Sequence, residues 1–385
     1  MPDHSLNNVL SPEEASSLLS AIRGESDAGA DALLARVGAR DLRRAMANLR
    51  SIEAAASDRM PRLLPLLIGS VSASPDADMA LNNLDHIVGL CDDTNALVTT
   101  WISAPASLNT VSLICASSQL LADILREVCL PFSVALAENE RPPRKDRDGL
   151  VSDAIRSARE SADSLRRFKR KELLRIATRD ILRIASFGDL VDEISNLASA
   201  CLQAALSQCF AALEPPDVRD APDGWWREFA VLAMGKLGAR ELNYSSDVDL
   251  IFMYDASWSG ADSPPEPVRR YFTRVGTQLI DAIGNLTTDG GLFRVDMRLR
   301  PEGGAGALVR TVQSYATYYE SWGQVWERQA LIKASWVAGS RDVADRFQRN
   351  VADFIWGKRL DTGGIAEIKT VKNRVEASAR QSGGK

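Results

Sequence analysis

Along the first 215 or so residues Leu, Ile and Ala recur every three to four positions, and strand-like alternation of apolar and polar residues is absent. Residues 42–56 and 111–125 show the spacing most clearly and are expected as helices. Ser11-Pro12-Glu13-Glu14 reads as a helix start. Ser11 suits the cap, Pro12 the first helical position, and Glu14 completes a capping box near the positive helix end. Pro61, Pro65, Pro75, Pro105 and Pro131 are expected to punctuate the helical array.

From Trp225 the pattern changes. Residues 229–234 form a continuous apolar run closed by Gly235, as a buried strand does, and the chain then turns through Gly235-Lys236-Leu237-Gly238. A second strand is expected over 245–254, beginning Ser245-Ser246-Asp247-Val248-Asp249. A third is expected at Arg294–Pro301, with Val295, Met297 and Leu299 facing the core and Arg294, Asp296, Arg298 and Arg300 sharing the other face. Pro301 ends it, and 302–306 is a Gly-rich loop. Beyond, Tyr315, Tyr319, Trp322 and Trp326 recur at i, i+4, i+7 and i+11, one helical stripe that is expected to pack against the sheet. Residues 365–379 read as a charged amphipathic helix with Ile365, Ile368, Val371 and Val375 on one side. The pattern is mainly α with an embedded α/β module: a helical region over 1–220, the module over 221–312 and a helical extension over 313–385.

Composition sharpens that division. All six Tyr lie at or beyond Tyr244, seven of eight Trp at or beyond Trp225, and 18 of 25 Gly after residue 220, so the two parts are built differently. At 45% hydrophobic and 25% charged residues the chain is globular, and its net charge of -5 gives no global basic field for nucleic acid. Cys91, Cys115, Cys129, Cys201 and Cys209 have no CxxC spacing, and with only His4 and His86 beside them they are expected as buried, reduced thiols rather than a zinc site. The N-terminal residues lack the basic and apolar regions of a secretion signal, and no stretch reaches the ~20 apolar residues a membrane helix requires. A cytoplasmic protein is expected. Six of the twelve positions 165–176 are basic, which suits either a docking surface for an acidic partner or a salt-bridged solvated helix face, the latter being the commoner use. Residues 141–149 read as a polar linker.

The chemistry lies in the acids. Side chains at i and i+2 of a strand share a face, so Asp247 and Asp249 are expected side by side at the head of an apolar strand. Two carboxylates that close repel unless a cation lies between them, and oxygen-only ligation selects Mg²⁺ or Mn²⁺ over zinc. Asp296, flanked by arginines, supplies a third carboxylate beside guanidinium forks suited to phosphate oxygens. Asp-x-Asp alone is common at strand starts, and Asp296 alone suits a salt-bridge ladder. The conjunction with a Gly turn twelve positions before Asp247 is far more specific. The Gly235 turn lacks GxGxxG spacing, and Lys236 is followed by Leu, so neither a dinucleotide fingerprint nor a P-loop is present.

That conjunction resembles the nucleotidyltransferase superfamily of the DNA polymerase beta type, except that Lys236 stands where many members have Ser. The strings AMGKLGARELNYSSDVDLIFMYD, FRVDMRLRPEGGAGALV and WERQALIKA, with LRRFKRKELLRIATRDIL upstream, narrow the resemblance to the bacterial glutamine synthetase adenylyltransferase/adenylyl-removing family. It covers most of the chain and is weakest over the first ~80 residues. The resemblance implies a nucleotidyltransferase fold with a mixed sheet, followed by helices. It implies that Asp247, Asp249 and Asp296 hold a pair of Mg²⁺ ions, with Mn²⁺ as an alternative. Gly235 and Lys236 would line the nucleotide's phosphates with Ser246 at the edge, Arg298 and Arg300 would hold the entering or departing phosphate, and Lys333 would reach the nucleotide.

In that family one module removes AMP from adenylyl-tyrosine of glutamine synthetase with inorganic phosphate, giving ADP, and a second attaches it from ATP. A single motif set after a long helical region resembles the removing half, so phosphorolysis is the expected direction. ATP-dependent attachment is the alternative within the family. A non-catalytic fragment that binds glutamine synthetase or a PII signalling protein is the alternative outside catalysis. The chain stops before a Gly-rich segment that the family places next, and so is expected to be a truncated copy.

Overall fold

The computed structural model describes residues 9–25, 29–138, 141–260 and 264–357, with four single positions between 369 and 377. The helix expected over 365–379 therefore lies outside the described residues, apart from those single positions.

Helix α1 (Pro12–Ile22) starts on the expected signal: Ser11 Oγ accepts from the Glu14 amide at 3.2 Å, and the Glu14 carboxylate accepts from the Ser11 amide at 2.8 Å. There follow α2 (Ala30–Val37), α3 (Leu42–Ala56), α4 (Met60–Ser72), α5 (Ala77–Leu90), α6 (Thr94–Ser103), α7 (Pro105–Ser117) and α8 (Gln119–Ala137). Asp41, Asp76 and Asp93 cap α3, α5 and α6, each accepting from a backbone amide three residues on. These helices close over one apolar core that includes Leu49, Leu63, Leu84, Trp101 and Val111. Trp101 is fully buried and its indole N–H finds Ser133 Oγ at 3.2 Å, which satisfies the one polar atom it brings inside.

Two expectations here are corrected. The helix over 111–125 is interrupted: α7 ends at Ser117, and extended Ser118 caps α8 through the Leu121 amide. A capping hydroxyl inside an apolar repeat leaves the repeat intact while breaking the helix. Pro65 and Pro131 lie inside α4 and α8 instead of between helices. At Pro65 a line of buried neighbours, Leu63, Leu64, Leu67 and Ile68, holds the helix despite the missing backbone donor.

The chain divides into two compact units, Met1–Pro143 with Leu173–Ser186, and Arg144–Glu172 with Phe187–Lys385. The compositional change near residue 220 falls inside the second unit, which also takes in α9 (Arg147–Glu160), the first part of α10 (Ala162–Ile181) and α11 (Phe187–Ala212). α11 is buried along most of its length and packs on α9.

The second unit is built on a five-stranded mixed sheet, as expected. β1 (Phe229–Ala233) pairs antiparallel with β2 (Val248–Tyr254) and with β5 (Ser335–Gly339). The two-residue β3 (Val295–Asp296) and β4 (Val309–Thr311) both run parallel to β2, one beside its start and the other beside its end. β1 is buried at all five positions, which is why its sequence is apolar without alternation. The remaining helices are the single-turn α12 (Gly235–Gly238), α13 (Glu266–Gly284), α14 (Val312–Ser321), α15 (Val325–Leu331) and α16 (Arg341–Ala352).

Tyr315 and Tyr319 pack inside, stacked on one another, with the Tyr315 hydroxyl donating to the Phe252 carbonyl at 3.0 Å. The stripe ends there: Trp322 is the exposed C-cap of α14, and Trp326 belongs to α15. Gly323 lies in the break, at a close approach where a Cβ would run into the Phe354 ring.

Along its first half the basic stretch 165–176 is salt-bridged and only partly solvated, its side chains engaged by other segments. Arg166 is buried and donates to the carbonyls of Ala282 and Asn285. Arg167 pairs with Asp289, and Lys169 lies over the Phe293 ring, its burial pushing its pKa down. Glu172, also buried, accepts from Lys145 at 2.7 Å. The stretch expected as a linker is likewise held, Arg144 by Asp189 and Asp192. Four of the five cysteines are buried and all five are unpaired thiols, with burial pushing Cys129, Cys201 and Cys209 up to about 12.

Candidate active site

Three backbone features assemble the site. β1 delivers the chain to Met234, whose amide donates to the Asp249 carbonyl at 2.8 Å, so the turn after β1 is tied to the first residues of β2. Gly235 then adopts φ +53° and opens α12. Its lack of a side chain matters, because a Cβ there would collide with Oδ2 of Asp249. Gly238 closes the same turn against the carbonyls of Ala233 and Lys333, where a Cβ would again collide.

The third feature is the parallel pairing of β2 with β3, whose register sets Val248 beside Val295 and Asp249 beside Asp296. Asp247 precedes the strand and is more exposed. Burial pushes the Asp249 carboxyl above its ordinary value, and the charges of Asp296 and then Asp247 add to the effect. Asp296 goes the other way: the Arg298 guanidinium forks onto both its oxygens and holds it below the usual range. Arg294 Nε donates to Asp247, and its Nη2 to the Ser245 carbonyl at 2.9 Å. Lys236 Nζ reaches Ser246 Oγ at 3.4 Å, and that hydroxyl donates to Asn243 Oδ1 at 2.5 Å.

These groups surround one open cleft of about 480 Å³, lined by Gly235, Lys236, Asn243, Ser245, Ser246, Asp247, Asp249, Arg294 and Asp296. The fold thus brings together six of the nine residues singled out in the sequence. Arg298 stands next to the cleft as the partner of Asp296. Arg300 does not share the face of Asp296. The strand stops at Asp296, and buried Arg300 turns to donate to the carbonyls of Met297, Gly304 and Gly306, so it braces the glycine loop. Lys333 lies outside the lining, its Nζ on Glu241 at 3.1 Å. Asn243 and Ser245 were not singled out, and Arg294 figured only as one of the arginines flanking Asp296. The signal for Asn243 was present in Asn-Tyr-Ser-Ser, where an Asn side chain accepts from the backbone two residues on, here the Ser245 amide at 3.3 Å.

A divalent cation suits this donor set chemically, since it is oxygen-only and the charges of Asp296 and Asp247 add to the burial that raises Asp249. Among the described residues, however, no three acids, histidines or cysteines are gathered closely enough to hold an ion as they stand. Asp247 and Asp296 are turned to Arg294 and Arg298 instead.

The family model for glutamate-ammonia ligase adenylyltransferase matches residues 108–350. Curated relatives bearing the name bifunctional glutamine synthetase adenylyltransferase/adenylyl-removing enzyme include one from Thioalkalivibrio sulfidiphilus, 38% identical over 60% of this chain and 25% of its own length. One from Pseudomonas putida is 36% identical over 70% of this chain and 28% of its own length, and one from Streptomyces avermitilis 34% identical over 82% and 30%. The chain spans about a quarter to three tenths of the length of these relatives. The chain belongs to the glutamate-ammonia ligase adenylyltransferase family.

Proposed function

We propose that this member of the family performs metal-dependent nucleotidyl transfer on glutamine synthetase, in the phosphorolytic direction that removes AMP from adenylyl-tyrosine. The observation that carries the reading is the convergence of a Gly-Lys turn and three aspartates in one cleft. Asp247, Asp249 and Asp296 are the residues that would hold Mg²⁺ or Mn²⁺, which when bound supplies positive charge at the transferring phosphorus. Gly235 leaves room beside the turn for the Asp249 carboxylate. Lys236 and Arg294 are the cations of the lining, and Arg298 stands beside it, so phosphate oxygens meet guanidinium and ammonium groups on entry.

In the proposed step a phosphate oxygen bonds to the α-phosphorus while the bond from phosphorus to the tyrosine oxygen breaks. ADP leaves, and the phenolate takes a proton from water. Phosphate is already anionic, so it has less call for a general base than a tyrosine hydroxyl would. ADP, ATP and inorganic phosphate as small-molecule partners, and a PII signalling protein as regulator, belong to the same proposal through the family. So does a cytoplasmic setting, which suits five unpaired thiols.

Incubation with adenylylated glutamine synthetase, Mg²⁺ and phosphate is expected to release ADP. Pyrophosphate from ATP and unmodified glutamine synthetase would reverse the assigned direction. Neither product would leave a binding fragment as the reading.

A further inference from the structure

Arg147, Arg240 and Arg341 meet at a separate small cavity of about 130 Å³, whose lining also includes Ser199, Ser335 and Trp336. We infer that this cavity binds a small, multiply charged oxyanion of phosphate size. The inference is independent of the chemistry assigned to the aspartate cleft.

Three observations converge on it. The first is a local excess of positive charge. Arg147 is half-buried and makes no ion pair among the described residues; it donates to the Val337 carbonyl at 2.9 Å. Burial pushes its pKa down, and the neighbouring charges of Arg240 and Arg341 add to that, against the opposing charge of Asp148. Arg341 meets Asp345 only at 3.7 Å, with both side chains exposed. Arg240 is the best compensated, by Asp192 and by Asn196 Oδ1 at 2.9 Å, but Asp192 is shared with Arg144.

The second observation is the mount. The Arg147 and Arg341 guanidiniums lie 4.1 and 5.4 Å from the Trp336 ring centroid. An indole that holds guanidiniums by their faces leaves their N–H edges for oxygens in the guanidinium plane, and it lowers the cost of ordering two long side chains. The third is backbone. Arg240 follows α12 at φ +59°, in the left-handed region an L-residue rarely adopts, and Leu237 of the same turn lines the cavity. The cavity therefore backs onto the turn that carries Gly235 and Lys236. Its volume of about 130 Å³ suits a phosphate- or sulfate-sized ion.

Sulfate is the probe, because it has the charge and shape of phosphate but is inert as a nucleophile. Trp336 gives a local signal. Titration of the full chain with sodium sulfate, at ionic strength held constant with sodium chloride, is expected to change its fluorescence saturably. The change is expected to be absent in Trp336→Phe and retained in Lys236→Ala, which alters only the cleft. Arg147→Gln and, separately, the exposed Arg341→Gln are expected to weaken sulfate about tenfold or more, with far-ultraviolet circular dichroism unchanged. Phosphate in place of sulfate is expected to give the same Trp336-dependent change. A signal that scales only with ionic strength, that survives Trp336→Phe, or that persists unweakened in a folded Arg341→Gln protein would overturn the inference and leave the arginines as a structural stack.

Discussion

The Asp249 carboxylate fills the space that a Cβ on Gly235 would need. One contact thereby couples the turn after β1 to the acid on β2. Gly235→Ala faces both that collision and φ +53°. The variant is expected to lose about 1–2 kcal/mol from the backbone alone, and, because Asp249 must move, about a hundredfold in turnover. Thermal unfolding and ADP release measure the two separately.

Asp249→Asn separates charge from shape. A carboxyl raised above its unfolded value destabilises the fold at neutral pH, and that cost lifts as pH falls through the folded pKa and is gone below the unfolded one. The Asn variant is therefore expected to match or exceed the parent's Tm at pH 7, with the gap closing in acid. Mg²⁺ is expected to raise the Tm of the parent and not of the variant, and activity to fall at least about a hundredfold.

Arg298→Ala tests the opposite shift. A carboxyl held below its unfolded value adds stability above that value, which is lost as pH falls through the folded one. The parent's advantage in Tm over Arg298→Ala is expected near neutrality and should vanish in strong acid. With Asp296 released, half-maximal stabilisation by Mg²⁺ is expected at a lower concentration than in the parent.

Arg300→Lys is expected to unfold the glycine loop locally. A single ammonium cannot reproduce the guanidinium's donation to three carbonyls. The expected loss is about 1–3 kcal/mol, and hydrogen exchange over residues 302–306 should quicken with it.

Lys333→Ala is expected to change stability by less than about 1 kcal/mol, as an exposed pair with Glu241 does. The KM for adenylylated glutamine synthetase is the discriminating quantity. An unchanged value fits a lysine outside the cleft, whereas a rise would bring Lys333 to the ligand.

Local rules carried far into this protein. The capping box at Ser11 and Glu14, the buried strand over 229–233, the mixed α and α/β character and the gathering of Gly235, Lys236, Ser246 and the three aspartates were legible because each depends on neighbours a few residues apart, or on a motif string that resembles a family. The alternation over 294–301 was misleading. It places Asp296, Arg298 and Arg300 on one face, whereas the strand ends at Asp296 and the two arginines part, one to a carboxylate and the other to loop carbonyls.

What the sequence alone determined was which residues carry charge, that the turn at Gly235 requires glycine, and where the first helix caps. Tertiary structure decided the rest. The β2–β3 register, formed across some 47 residues of chain, sets Asp249 beside Asp296, whose charge adds to the burial that raises Asp249. The same holds for the basic helix, whose Arg166 finds carbonyls more than a hundred positions away. A period along the chain says which side chains share a face. Only the pairing of distant segments says what that face meets, because burial and Coulomb energy depend on distance in space rather than along the sequence.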